Sequence, residues 1–506
     1  MTRYRHLITE DNSKWWTLAA MCFALFMIML DNTVMNVALP SLQSDLGSSI
    51  QALEWTLNGY TLSFAVLLAT GGRLGDILGR RRMFLAGVSI FALSSATAGL
   101  APTDTALVIS RVVQGVGAAL MMPATLSIIT NAFPAEERGK AIGTWAGVSA
   151  LALAAGPLLG GFLVEHVSWR AIFYLNLPVA AGAILMTLFA VRESRDETVG
   201  REIDWAGTAV MTVGLTALVL ALIEGNAWGW GSPAILGLLA LSIAALGAFL
   251  VIEGRVTAPI VQFEFLRSRN FTGALLVAFV ISFAMLGMFF FMALYIQNIL
   301  GYSPLEAGIR FLPTTLVIMF VAPIAGRLTD RIGPRPLIVS GLGVVALSLF
   351  MQSAIDVSTT YADLLVPFVL MGVGIALTMS PMSTAAMNAV AEAKAGLASG
   401  LLSMSRMVGG TFGVAALGAI FQAQSRGDLE SALAPVGVGN SAIEGIAEQL
   451  GSGGLGETLA SLPPDQAQQA GEAAREAFIT SLATSIEISA IVAAVGAVAA
   501  IFLLGA

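Results

Sequence analysis

Apolar residues recur along this chain in long runs separated by short polar stretches. A helix needs about 20 such residues to cross a bilayer core of roughly 30 Å, where every backbone N–H and C=O must be satisfied internally. Runs of that kind lie at about residues 15 to 38, 53 to 71, 83 to 101, 105 to 130, 141 to 164 and 171 to 191, then at 205 to 223 and 234 to 252. Six more follow at about 271 to 299, 306 to 325, 337 to 354, 363 to 389, 399 to 423 and 478 to 504. The pattern predicts an all-α integral membrane protein with 14 spans. Its domains read as a six-helix bundle over 1–200, two inserted helices over 201–255, and a second six-helix bundle over 256–506 with an outer loop at about 425–477. The first run is long enough to span and is not followed by a small-residue cleavage site, so it reads as a transmembrane helix and not as a signal peptide.

Composition narrows the function. Hydrophobic residues make up 57% of the chain and charged residues only 11%, against about 25% charged in soluble domains. Cys22 is the single cysteine and sits inside an apolar run, and the two histidines, His6 and His166, are far apart in sequence. Neither a disulfide framework nor a metal centre is expected. The net charge of −7 argues against nucleic acid as a partner. The chain has no Gly-x4-Gly-Lys-Ser/Thr loop for ATP, so no cofactor is expected and the driving energy is assigned to an ion gradient.

Lysine and arginine set the orientation. With the N-terminus inside, the inner segments hold 19 of these residues and the outer segments 3, namely Arg170, Arg426 and Arg475. The positive-inside rule therefore predicts both termini in the cytoplasm and the protein in the cell membrane.

The loop after the second span reads Gly72-Arg73-Leu74-Gly75-Asp76-Ile77-Leu78-Gly79-Arg80-Arg81-Arg82. The loop after the tenth reads Gly326-Arg327-Leu328-Thr329-Asp330-Arg331-Ile332-Gly333-Pro334-Arg335-Pro336. The Gly, Arg, Leu and Asp positions coincide, which predicts a duplicated six-helix unit with two extra helices between the copies. Parallel halves with a site between them near the midplane are a transporter plan, worked by rocking. Gly72, Asp76, Gly79, Arg80, Arg81, Arg82, Asp330 and Arg331 are the gating candidates of these loops. A bare topology signal is the alternative for the arginines, although it needs no matching Gly and Asp.

On these residues the chain resembles the major facilitator superfamily, specifically the fourteen-helix drug:proton antiporter family of EmrB- and QacA-like pumps. Leu30 to Pro40 resembles that family's helix 1 motif, Arg111 to Gly117 its helix 4 motif, and Gly147 with Gly156-Pro157-Leu158-Leu159-Gly160-Gly161 its antiporter motif in helix 5. Trp169-Arg170, and Arg406 with Gly409-Gly410, fit as well. The second loop departs from the pattern at Pro334 and Pro336. The resemblance implies proton-coupled export of drugs, with acids in these motifs and the helix 4 arginine associated with coupling.

An ionisable residue deep in a membrane helix costs about 2.5–3.5 kcal/mol and is a functional candidate by default. Asp31 follows the uncharged run Met21 to Leu30 and lies at the same expected depth as Arg111, so the two can pair. Glu487 is a further coupling candidate in the last span. Asn32, Asn36, Asn58, Tyr60 and Gln114 supply polar groups for a substrate cavity, and Met288, Phe291, Tyr295, Asn298 and Arg310 add polarisable, aromatic and cationic ones. A core or lipid-facing stripe is the alternative for the methionines and phenylalanines. Gly147, Gly156, Pro157, Gly160 and Gly161 read as a pivot or seal, with tight packing as the alternative, and Arg406 as the balance for a buried acid. Residues 425–477 read as a solvated acidic linker with short amphipathic helices.

The function these readings predict is a proton-coupled antiporter, not an enzyme, that exports amphipathic or cationic compounds by alternating access. Its partners are the lipid bilayer, protons and small amphipathic substrates, and its transport unit is a monomer. Export or flipping of an endogenous lipid or secondary metabolite is one alternative. A membrane sensor or assembly protein without flux is another.

Overall fold

A computed structural model describes residues 10–47, 50–197, 204–256, 267–436, 438–450, 459 and 462–505. Among them, 14 helices are long and apolar enough to cross a membrane, and no strand is present. The first half contains α1 (Glu10–Leu46), α2 (Ile50–Leu78), α3 (Arg80–Gly99), α4 (Asp104–Ala132), α5 (Ala135–His166) and α6 (Arg170–Ala190). Two inserted helices follow, α7 (Trp205–Trp228) and α8 (Pro233–Glu253). The second half contains α9 (Arg269–Leu294), α10 (Leu312–Ile332), α11 (Pro334–Ser353), α12 (Tyr361–Asn388), α13 (Ala395–Leu433) and α14 (Pro464–Leu503).

The helix starts follow local chemistry. Thr103, Asp204, Ser232 and Ser268 each accept an orphan N–H in the first turn of α4, α7, α8 and α9. Gly79 and Gly333 occupy the same place in the two copies of the repeated loop, with φ of 112° and 81°. This left-handed backbone favours glycine and lets α3 and α11 begin immediately after α2 and α10.

Packing divides the molecule into two six-helix bundles. In the first, α2 packs on α4, α3 on α4, and α1 on α5 and α6; in the second, α11 packs on α12 and α14, and α9 on α13. The bundles meet along α5–α10 and α2–α13, while α7 pairs with α8 and touches α2 and α13. The repeated loops lie at one end of the bundles, called here the arginine-rich end.

The segment 425–477 differs from the expected linker. α13 runs for 39 residues and α14 for 40, about 58–60 Å each and nearly twice a bilayer core. Both continue beyond the membrane into this segment, and a helix at Asn440–Gln449 packs against α13. Leu429, Leu433, Ile443, Ile446, Ala470 and Ala474 are buried there. The charges misled the reading because Glu, Gln, Arg and Ala are good helix formers whether or not lipid surrounds them.

At the far end, α1 also outruns its apolar stretch and is clamped. The Trp169 indole donates to Asp45 Oδ2 at 2.9 Å and the Arg170 guanidinium donates to the same oxygen at 2.5 Å. Arg170 lies 4.3 Å over the Trp169 ring. The Trp169 and Arg170 hydrogen bonds hold the Asp45 carboxyl below the usual carboxylate range. A depressed folded-state pKa stabilises the fold above the unfolded value of about 3.9, and that contribution is lost as pH falls through the folded value. Thermal unfolding measured from pH 6 to pH 3 is expected to show wild type losing stability relative to Asp45→Asn only below about pH 4. A difference between the two that does not change with pH across this range would refute the clamp's electrostatic role.

Candidate functional site

Two buried polar constellations stand out, one inside the first bundle and one across the seam between bundles. The first is centred on Asp31 of α1 and Arg111 of α4, each 1% exposed. Arg111 Nη1 donates to Asp31 Oδ2 at 2.5 Å and to Gln114 Oε1 at 2.7 Å, and its Nε donates to the Thr56 carbonyl at 3.3 Å. The guanidinium lies 4.3 Å over the Tyr60 ring. Asp31 Oδ1 accepts from Gln114 Nε2 and Asn176 Nδ2, both at 2.9 Å, and these two amides also donate to Ser95 Oγ. Close approach of α2 to α4 makes this possible: a Cβ on Gly115 would collide with Ser63 and Tyr60.

Chemically, Asp31 is an anion that accepts from Arg111, Gln114 and Asn176 at once. Its charge is the one that faces the Arg111 guanidinium, so the pair is compensated within the first bundle. Breaking such a pair by removing one partner typically costs about 3–5 kcal/mol.

The second constellation bridges the two bundles at the arginine-rich end. Asp76 of α2 accepts the first-turn N–H groups of α13 from Gly396 at 2.9 Å and Leu397 at 2.7 Å. Asp330 of α10 accepts N–H groups of α5 from Gly139 at 2.8 Å and Lys140 at 3.0 Å. Each repeat copy thus places its aspartate on backbone N–H groups of a helix of the opposite bundle: Asp76 meets the first turn of α13, where exposed N–H groups and the helix dipole favour an anion, and Asp330 the second turn of α5. The glycines obey the same symmetry, since a Cβ on Gly72 would strike the Gly396 backbone and one on Gly326 the Gly139 backbone. Arg80 pairs with Asp76 at 2.7 Å and donates to the Glu392 and Ala393 carbonyls. Arg138 of α5 adds an ion pair to Glu392 and a hydrogen bond to Asn388.

The remaining candidates scatter. Arg81 and Arg82 bind Leu188 and Glu193 of their own half, and Arg331 is exposed, so none of the three crosses the seam. Gly156 and Gly160 receive Thr33 and Val34 of α1, Gly147 meets Met319 of α10, and Gly161 faces Leu305. The side chains of Asn36 and Pro157 lie outside the described residues. Asn32 bonds its own helix at Ile28, and Asn58 is half-buried on α2.

On α9 the expected cavity stripe is core in this conformation. Met288, Phe291 and Tyr295 are each no more than 2% exposed, with Phe291 against Phe421 and the Tyr295 hydroxyl donating to the Asp356 and Thr359 carbonyls. The aromatic groups supply packing area within the second bundle, which outcompetes ligand exposure. After Leu294 the helix widens into a π-turn over Tyr295–Ile299. That turn carries Asn298 into a cavity of about 410 Å³ lined also by Leu450, Arg475 and Phe478, away from the seam. Arg310 stacks on Tyr302 at 3.2 Å and donates to the Glu306 carbonyl. Glu487 is exposed on α14 and has no ion pair or hydrogen bond among the described residues, so nothing links it to Asp31. Arg406 does not balance a buried acid: no carboxylate pairs with it among the described residues.

Asn176, Ser95, Thr56, Arg138 and Glu392 join these constellations without having been singled out in the sequence. Asn176 carried a signal, being an isolated amide in the apolar stretch of α6. Thr56 acts through its backbone carbonyl, for which no side-chain pattern exists.

Comparison with known proteins gives a consistent result. The family model described as Major Facilitator Superfamily matches residues 21–414. The tetracenomycin C resistance and export protein of Streptomyces glaucescens is 35% identical over 96% of this chain and 91% of its own length. The puromycin resistance protein of Streptomyces alboniger is 38% identical over 81% of this chain and 82% of its own. Among solved structures, a double-tryptophan mutant of XylE superposes with a TM-score of 0.63 at 15% identity, covering 97% of this chain and 95% of that one, a likeness of fold.

Proposed function

The chain belongs to the Major Facilitator Superfamily, and from that membership we propose that it is a proton-coupled antiporter exporting small amphipathic compounds by alternating access. It is a multi-pass membrane protein and a secondary transporter, not an enzyme. The observation that carries the coupling is the Asp31–Arg111 pair, a buried acid whose proton occupancy decides whether a buried cation is compensated. Relatives named for resistance to tetracenomycin C and puromycin support small bioactive compounds as the cargo class.

In this reading the arginine-rich end is cytoplasmic, as the distribution of basic residues favours, and both termini are there. The seam closed by Asp76 and Asp330 is then the inner gate, and the structure corresponds to a state shut towards the cytoplasm. Proton binding at Asp31 loosens the first bundle and permits rocking about the α5–α10 and α2–α13 contacts. A single chain holds both repeat copies and both caps, so the transport unit is a monomer.

Flux in proteoliposomes tests this. With the membrane potential clamped to zero, a vesicle interior one pH unit more acidic than the bath is expected to drive accumulation of rhodamine 6G. One-for-one exchange of a monovalent cation for a proton stores about 1.36 kcal/mol per pH unit, a gradient of about tenfold. No accumulation under any pH or potential gradient would instead favour a sensor or assembly protein.

A further inference from the structure

The protein contains two arginines deep in its helices that it treats in opposite ways. Arg111 is compensated by a carboxylate, an amide, a carbonyl and an aromatic face. Arg406, about three turns into α13, has none of these. Its Nε is buried without a hydrogen-bond partner, and no carboxylate pairs with it among the described residues. Buried polar groups are satisfied in the great majority of cases, and an exception calls for an explanation.

Arg406 is not isolated in this respect. Ser399 and Ser403 lie seven and three residues before it along α13, an i, i+4, i+7 spacing that places all three on one face of the helix. Both serines are buried, at 0% and 5% exposure, and both hydroxyls also lack a partner. This part of α13 borders the seam between bundles, because Gly400, beside Ser399, backs onto Leu68 and Ala69 of α2. The Nε of a half-buried guanidinium and two buried hydroxyls thus line up on one face of α13 beside the seam, without hydrogen-bond partners among the described residues.

We propose that this stripe of α13 is a subsite for an acidic group of the transported compound, a carboxylate or similar planar oxyanion, held by Arg406 with Ser403 and Ser399 as further donors. The planar guanidinium fork matches a carboxylate in two parallel hydrogen bonds, which a lysine ammonium does not reproduce. Depth excludes a lipid phosphate as the occupant. Arg406 lies seven residues into the apolar run 399 to 423, about 10 Å from its inner end, well inside a bilayer core of roughly 30 Å and away from the headgroups. The assignment rests on the export reading for its biological cargo, but binding itself can be measured without flux.

The test uses the detergent-purified full chain and a matched pair of probes, 1-naphthylacetate and its neutral amide, with equilibrium dialysis as the readout. Wild type is expected to bind the acid more tightly than the amide. Arg406→Gln is expected to weaken the acid about tenfold, the scale of a hydrogen bond to a charged group, and to leave the amide within about twofold. Arg406→Lys is expected to recover part of the loss, and Ser403→Ala to weaken the acid alone by a smaller factor. Equal binding of acid and amide by wild type overturns the proposal without recourse to any variant, as does an Arg406→Gln variant that binds both probes equally less well. A preserved preference for the acid in a protein that shows no pH-driven flux would keep the subsite and remove the export reading instead.

Discussion

Asp31→Asn is expected to reduce pH-driven accumulation in proteoliposomes to the level of empty vesicles while the protein still inserts. The substitution keeps shape and one acceptor oxygen but removes the carboxyl group that faces Arg111 and can exchange a proton for a negative charge. Arg111 is then a buried cation without its anion, so stability falls as well, by about 3–5 kcal/mol. The two effects separate in Asp31→Asn combined with Arg111→Gln. Removing both charges is expected to restore most of the thermal stability, because a neutral polar pair no longer carries an uncompensated charge, while coupled transport stays absent. Accumulation that still follows the pH gradient in Asp31→Asn would place the proton site elsewhere.

The second large effect concerns the seam. Asp76→Ala removes two charge-assisted hydrogen bonds to the start of α13 and strands Arg80, which is 1% exposed, without its carboxylate. Together these losses amount to about 2–4 kcal/mol that favours the closed arginine-rich end, enough to move a two-state equilibrium by between about thirtyfold and about a thousandfold. A cysteine at Ala69, a fully buried position on the α2 side of the seam, reports the shift. The native Cys22 is buried and leaves a low background. Maleimide labelling of Ala69→Cys is expected to accelerate at least about tenfold in the Asp76→Ala background. Asp330→Ala is expected to give a smaller acceleration, since Asp330 accepts the two α5 N–H groups with no arginine ion-paired to it among the described residues. Unchanged labelling in both variants would mean that the aspartates do not hold the seam shut.

Much of this was legible in the chain, for identifiable reasons. Length and apolarity alone decide whether a helix can cross a bilayer, so the 14 spans could be read directly. The pairing of Asp31 with Arg111 followed from equal depth, because two buried charges in neighbouring helices have few other ways to be compensated. What the repeated loop could not reveal is where its aspartates point. Their partners are backbone N–H groups of α13 and α5, which every sequence contains. The stripe on α9 is ambiguous for a related cause: Met and Phe satisfy a core and a cavity equally well, and in this conformation they are packed as core. The extended helices past residue 425 were hidden because hydropathy marks where lipid ends, not where a helix does.

Those extended helices turn a small gating motion into a large one. α13 begins at the seam, with its first turn held by Asp76, and ends 39 residues away beyond the opposite membrane surface. A rigid rod of about 58 Å pivoted at its base by 10° sweeps its tip through roughly 10 Å. If the seam opens as proposed, the segment past residue 425 moves as its lever arm. A pair of fluorophores across it is expected to report opening of the arginine-rich seam from the opposite side of the membrane.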